Sequence, residues 1–263
     1  MKQLTFLTKI ILVALFLCLN ITAQTSETQK TQTAEEKQKE IEVRKFLASF
    51  IKEMDEKKDI RQIPEQFFAA HFKKRFTTLI FFYDDLPKEL TEDARYQGSL
   101  EIFNVMYQGL ICMYGSEFNF DSSENEKDSE FLKKFLPPDV FKIAKNNKFL
   151  NALIEDKSDD IIEKEIKEAS QINQLISDLH LINEALRKYI GEQNLKWFET
   201  YQKEAAKRQA ENDYYHARKC EKDDCKGLPP NTIIYHLDSN PFCVEIIEDA
   251  GSYKILNIYL RMD

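Results

Sequence analysis

The sequence predicts an α+β protein, predominantly helical, in which amphipathic helices pack with a small C-terminal antiparallel sheet. Three observations lead there. Apolar residues recur at three- and four-residue spacing from Ile41 onward, the period switches to alternation after Cys225, and 43% hydrophobic and 12% aromatic content over 263 residues suffices for a sizeable core.

The elements follow in chain order. Lys2 and Lys9 precede an apolar run, Ile10 to Leu19, that gives way to small and polar residues around Ala23, the pattern of a signal peptide over residues 1–23. The run is far shorter than the roughly 20 residues a spanning helix needs, and no other stretch reads as a membrane span. Cys18 is a poor lipidation site because Leu17 precedes it. The chain therefore reads as exported, to a periplasm or the extracellular space. Cleavage removes two lysines and no acidic residue, which takes the net charge from −8 to −10. Nucleic acid is excluded as a partner on this ground, since Lys and Arg are interleaved with more numerous Asp and Glu throughout.

Residues 24–38, "QTSETQKTQTAEEKQ", hold no large apolar residue and read as a disordered tether, leaving 39–263 as a single α+β domain. Val43, Phe46, Leu47, Phe50, Ile51 and Met54 mark a first amphipathic helix. Pro64 opens a second, "PEQFFAAHFKKRF", and "TTLIFFYDD" fits helix or strand equally. "SLEIFNVMYQGLICMYG" is a nearly all-apolar helix with Gly115 as its stop, a candidate for the centre of the fold. Residues 121–130, "DSSENEKDSE", form an exposed loop and a possible internal division.

Pro137 and Pro138 start the next helix. After it, Ser158, Asp159 and Asp160 begin the best-patterned one, with Ile172, Leu175, Leu179, Ile182, Leu186 and Tyr189 as its packing stripe. Gly191 ends or interrupts it, and "LKWFETYQKEAAKRQAENDYYHARK" continues as helix. "TIIYHLD", "FCVEIIE" and "YKILNIYLRM" then alternate and predict a three-stranded meander, in which Phe242, Val244 and Ile246 share a face, as do Leu256, Ile258 and Leu260.

The opening "VRKFLASFIKEMDEKKDI" followed by "EQFFAAHF", and the closing hairpin "FCVEIIEDAGSYKILNIYL", resemble the start and finish of NTF2-like (cystatin-type α+β) domains. The resemblance covers about 50 residues, and the helical reading of 129–219 departs from the family, which has several strands before its last hairpin. It implies a helix on an antiparallel sheet. It implies no catalytic residue, because that family includes enzymes and non-enzymatic binders alike.

"CEKDDC", residues 220–225, is the most suggestive motif. Four intervening residues do not match thioredoxin-type redox motifs, and a structural zinc site needs a second pair that Cys112 and Cys243 do not supply locally. In an exported chain with four mature cysteines, a local Cys220 to Cys225 disulfide is the default. Cys112 and Cys243 lie in apolar segments and read as unpaired, with a helix-to-strand bridge as the alternative.

Among the histidines, His180 has Asp178 and Glu184 as helical neighbours and His216 has Asp213, while His71 among phenylalanines and His236 in a strand read as structural. Catalytic, cofactor and metal motifs are not found, and six glycines leave little room for phosphate-cradling loops. Two function classes remain. One is an exported non-catalytic protein that binds a partner or small ligand. The other is a small hydrolase or isomerase-like enzyme with an NTF2-like pocket, in which His71 would converge with Asp84 or Asp85 inside an apolar cavity.

Overall fold

A computed structural model describes residues 33–76, 90–115, 137–147, 151, 169–192, 198–203, 206–207, 214–220, 227–239 and 241–260. They fall into two units, a helical one within residues 77–205 and a mixed one made from 18–76 and 206–261. The chain thus leaves the mixed unit after Phe76 and returns to it at Ala206. The loop 121–130, where a division was expected, lies outside the described residues. The architecture is α+β and predominantly helical, with one antiparallel sheet near the C-terminus.

The mixed unit opens with α1, Ala34–Lys57. Thr33 caps it: its hydroxyl accepts from the Glu36 amide at 3.2 Å, and the Glu36 carboxylate accepts from the Thr33 amide at 2.7 Å. Residues 33–38 are therefore cap and first turn rather than tether. Capping and the helix propensity of Ala, Glu, Lys and Gln suffice here without apolar burial. Val43, Leu47, Phe50 and Met54 form one buried stripe, and the helix stops at Lys58, whose φ of 55° is left-handed.

The single helix expected from Pro64 does not form. Residues Glu65–Phe67 make a 3₁₀ turn and Phe72–Arg75 a single helical turn, α2. Between them the backbone is extended at Phe68 and then turns, because Phe68 bridges Ile255 and the Ala69 amide donates to the Ile255 carbonyl at 2.9 Å. A tertiary hydrogen bond outbids the helical one.

Four strands, not three, make a meander in consecutive order: β1 Tyr214–Lys219, β2 Ile233–Ser239, β3 Phe242–Asp249 and β4 Ser252–Leu260. β1 corrects the helical reading of "YYHARK", since its six residues pair antiparallel with β2 from Tyr214 opposite Asp238 to Lys219 opposite Ile233. The β3–β4 turn has two residues at positive φ, Ala250 at 50° and Gly251 at 77°, which matches the twist of the strands it joins.

A bulge then changes β4. Glu245 pairs with Asn257 but Ile246 pairs with Ile255, so Leu256 is an extra residue. Ile255, Ile258 and Leu260 lie on the face of Phe242, Val244 and Ile246, and Leu256 turns to the other face, where it packs with Ala69, Ile234 and Ile247. The expected grouping of Leu256 with Ile258 and Leu260 is corrected accordingly. On the first face Phe50 of α1 meets Phe242, Phe67 and Phe68 edge-on at 5.9 to 6.1 Å between ring centres.

The helical unit contains α3 Glu92–Gly115, α4 Pro138–Asn146, α5 Ala169–Glu192 and helical residues 198–203. α5 packs on α3 and α4 through buried Ile172, Leu175, Leu179, Ile182, Leu186 and Ile190. Tyr189, expected to close this stripe, is half-buried beside it. The start expected at Ser158 to Asp160 lies outside the described residues. α3 is buried nearly all round as expected, yet it carries Ser99, Glu101, Asn104 and Gln108 into the interior. No described helix is long and apolar enough to cross a membrane.

Candidate functional site

Alternation along β1 places Tyr214, His216 and Arg218 on one face of the sheet and Tyr215, Ala217 and Lys219 on the other. Register does the rest. His216 stands opposite His236, His236 opposite Glu245, and Glu245 opposite Asn257, so one polar row crosses all four strands. The guanidinium of Arg218 reaches along this face, its Nε donating to His236 Nε2 at 2.8 Å. His236 Nδ1 therefore carries the ring proton and lies 3.6 Å from Glu245 Oε1. Arg218 itself sits 3.9 Å from the same oxygen, and Arg75 of α2 sits 3.8 Å from Glu245 Oε2.

This row gathers two guanidiniums and an imidazole around one carboxylate, all of them half-buried. With Nε2 accepting from Arg218 and Nδ1 turned to Glu245, neither ring nitrogen of His236 is presented as a base. The His216 ring is 6.5 Å from that of His236. Among the described residues no group of three or more His, Cys, Asp or Glu is placed to hold a metal ion.

The opposite face clamps α1. Lys39 pairs with Glu248 at 2.8 Å and lies 5.9 Å from the Tyr253 ring centre, Tyr253 donates to Glu42 at 3.1 Å, and Arg44 stands 5.8 Å over Tyr215. Tyr215 stacks on Tyr235, which meets Tyr253 edge-on. The hydrogen bond from Lys39 to Glu248 raises the lysine pKa, and those from Gln38 and Tyr253 lower that of Glu42. Burial pushes the Tyr215 hydroxyl up to about 12 and raises Tyr235 and Tyr253 in the same direction.

His71 precedes α2 and its ring lies against Gly227, where a side chain's Cβ would meet Cδ2 at 3.1 Å and Nε2 at 3.2 Å. Gly227 also has a φ of +93°, so both space and backbone demand glycine there. Asp84 and Asp85 lie outside the described residues. Cys220 is a disulfide-bonded cysteine that packs with Leu228 against the Ala69, Ile234, Ile247 and Leu256 cluster, while Cys225 also lies outside them. Cys112 and Cys243 are buried thiols outside any disulfide, and burial pushes the Cys112 thiol up to about 12.

The helical neighbours expected for the histidines are not their partners. His180 Nδ1 lies 3.1 Å from Glu101 of α3, whereas Asp178 accepts from Asn147 at 2.5 Å and from Gln174 at 3.0 Å, and Glu184 pairs with Arg187. Glu101 is buried and also accepts from Asn183, whose amide further donates to the Glu101 carbonyl at 3.0 Å. His216 is on a strand, so its helical spacing from Asp213 has no meaning. Glu245, Arg218, Arg75, Glu101 and Asn183 were missed in the sequence. Only the alternation of "YYHARK" against "TIIYHLD" signalled any of them. No protein-family model, no curated protein and no solved structure matches the chain.

Proposed function

We propose that this is an exported, non-catalytic binding protein whose recognition surface is the row formed by Arg75, Arg218, His236 and Glu245, and that its ligand is a small anion. The observation that carries this reading is the hydrogen bond from Arg218 to His236 Nε2, which occupies the lone pair of the imidazole, with Glu245 3.6 Å from Nδ1. A general base must offer a nitrogen to the substrate, whereas a charge-recognition site needs its groups fixed. The row gathers two guanidiniums, groups suited to charge-assisted contact with an anion, in a chain that is otherwise acidic.

Export rests on the signal peptide of residues 1–23, and a Cys220 to Cys225 disulfide fits that destination. The packing of α1 across a consecutive four-stranded meander supports the NTF2-like (cystatin-type) reading for the mixed unit, with the helical unit as an insertion between its helix and its sheet. Native mass spectrometry of the secreted protein tests the function. A stoichiometric small-molecule adduct, released unchanged and lost in Arg218→Ala, is the expected result. Conversion of the released molecule on incubation with fresh protein would sink the non-catalytic reading.

A further inference from the structure

We propose that the outer edge of β1 is an interface for a second copy of this chain, pairing antiparallel about Ala217 so that the sheets of two copies become one. This inference stands without the ligand reading above.

β1 is one edge of the four-stranded sheet, and Tyr214, His216, Ala217 and Lys219 are exposed, residues belonging to both of its faces. Exposure on both faces is what an uncovered edge produces. The direction of its backbone groups follows from one hydrogen bond. The Cys220 amide donates to the Thr232 carbonyl at 2.9 Å, continuing the β1–β2 ladder. Because successive residues of a strand point their amide and carbonyl to opposite sides, Arg218, His216 and Tyr214 address β2 and Lys219, Ala217 and Tyr215 address the open edge. Exposed edges of this kind are templates for another strand unless proline, a bulge or an inward charge blocks them. β1 has no proline, and its pairing with β2 shows no register shift.

The occupant follows from the side chains. Two copies related by a twofold axis perpendicular to the sheet keep like faces together, so a residue can only meet one of the same parity. Pairing about Ala217 puts Ala217 opposite its own counterpart, Tyr215 opposite Lys219, and His216 opposite Arg218. Lys219, which would guard the edge against an apolar strand, then lies over an aromatic ring instead of another lysine. The three outward residues of each copy supply about six backbone hydrogen bonds. Strands of six residues bury well under the roughly 800 Å² per partner of a standard interface, so the dimer is weak and concentration-dependent.

Sedimentation of the mature chain over about 1 to 500 μM reads this directly, with a monomer-to-dimer shift in that range as the expected result. Ala217→Pro removes an amide that points outward and none that β2 uses, and proline is tolerated at such edge positions. It should leave the circular dichroism and melting temperature unchanged and abolish the dimer. As a second measurement, Ala217→Cys should form a disulfide-linked dimer under mild oxidation, since directly opposed strand residues fall within bridging distance, whereas Lys219→Cys should not. A wild type that stays monomeric at about 500 μM overturns the proposal. So does a dimer that survives Ala217→Pro, or equal cross-linking of Ala217→Cys and Lys219→Cys.

Discussion

The two units solve the burial problem differently. In the helical unit the described interior contains Ser99, Glu101, Asn104, Gln108, Asn147 and Asn183, whereas among the described residues of the mixed unit the one buried polar residue is Asp59, against a core of Phe50, Phe72, Phe76, Phe242, Ile246 and Ile255. Asp59 is held by Arg61 at 2.6 to 3.1 Å and caps a 3₁₀ turn, so its charge is matched locally. The other described ion pairs of the mixed unit are half-buried or exposed, along α1 and in the polar row across the sheet. The helical unit instead spends interior volume on amides and a carboxylate, whose hydrogen bonds between α3 and α5 favour one register of those helices over its neighbours.

The largest effect that would break this comparison is expected in the dry core. Phe50→Ala should cost about 3 to 5 kcal/mol in urea denaturation, because a fully buried ring with three edge-on aromatic neighbours leaves a cavity that cannot collapse. A loss below about 1 kcal/mol would mean α1 packs loosely on the sheet.

Next comes the polar interior. Glu101→Ala removes the acceptor of Asn183 and the partner of His180, and should cost about 1 to 3 kcal/mol. Glu101→Gln keeps an acceptor for Asn183 and should cost less. If Glu101→Ala stabilises the chain instead, register is not what the buried carboxylate supplies.

Alkaline pH separates the units further. Tyr215, Tyr235 and Tyr253 have raised pKa values, so their contribution is complete below the ordinary tyrosine value of 10.0 and declines as pH climbs toward about 12, the value of Tyr215. Lys39 is raised too, and its contribution is likewise present below 10.5 and lost above its folded value. In the helical unit the buried Cys112 thiol begins to lose its contribution above 9.0. Denaturation midpoints between pH 8 and 11.5 should fall in two stages, and Cys112→Ala should remove the earlier one. A flat profile to pH 11 would contradict the clamp of tyrosines beneath α1.

The smallest change expected is a gain. Ala250 occupies a left-handed turn position at φ 50°, where glycine has no steric penalty, so Ala250→Gly should raise stability by about 0.5 to 1 kcal/mol. No gain in the thermal midpoint would show that the turn relaxes around the alanine.

Local chemistry made much of this fold readable in advance. The stripe of α5 from Ile172 to Leu186, the start of α4 at Pro138 and the burial of α3 all depend on neighbours within a few residues, and periodicity reports such neighbours faithfully. What sequence could not carry was anything decided by a partner far along the chain. "YYHARK" is a strand because β2 offers it a ladder, Phe68 is extended where it bridges Ile255 and the Ala69 amide donates to the Ile255 carbonyl, and Leu256 changes face because of one bulged residue. The polar row has the same origin. Arg75, Arg218, His236 and Glu245 are scattered over 171 positions in the numbering, and strand register brings the last three together while α2 brings Arg75 to them. Spacing in a sequence encodes what one helix or strand presents, while the charges that face each other across a sheet are set by pairing, which has no local signature.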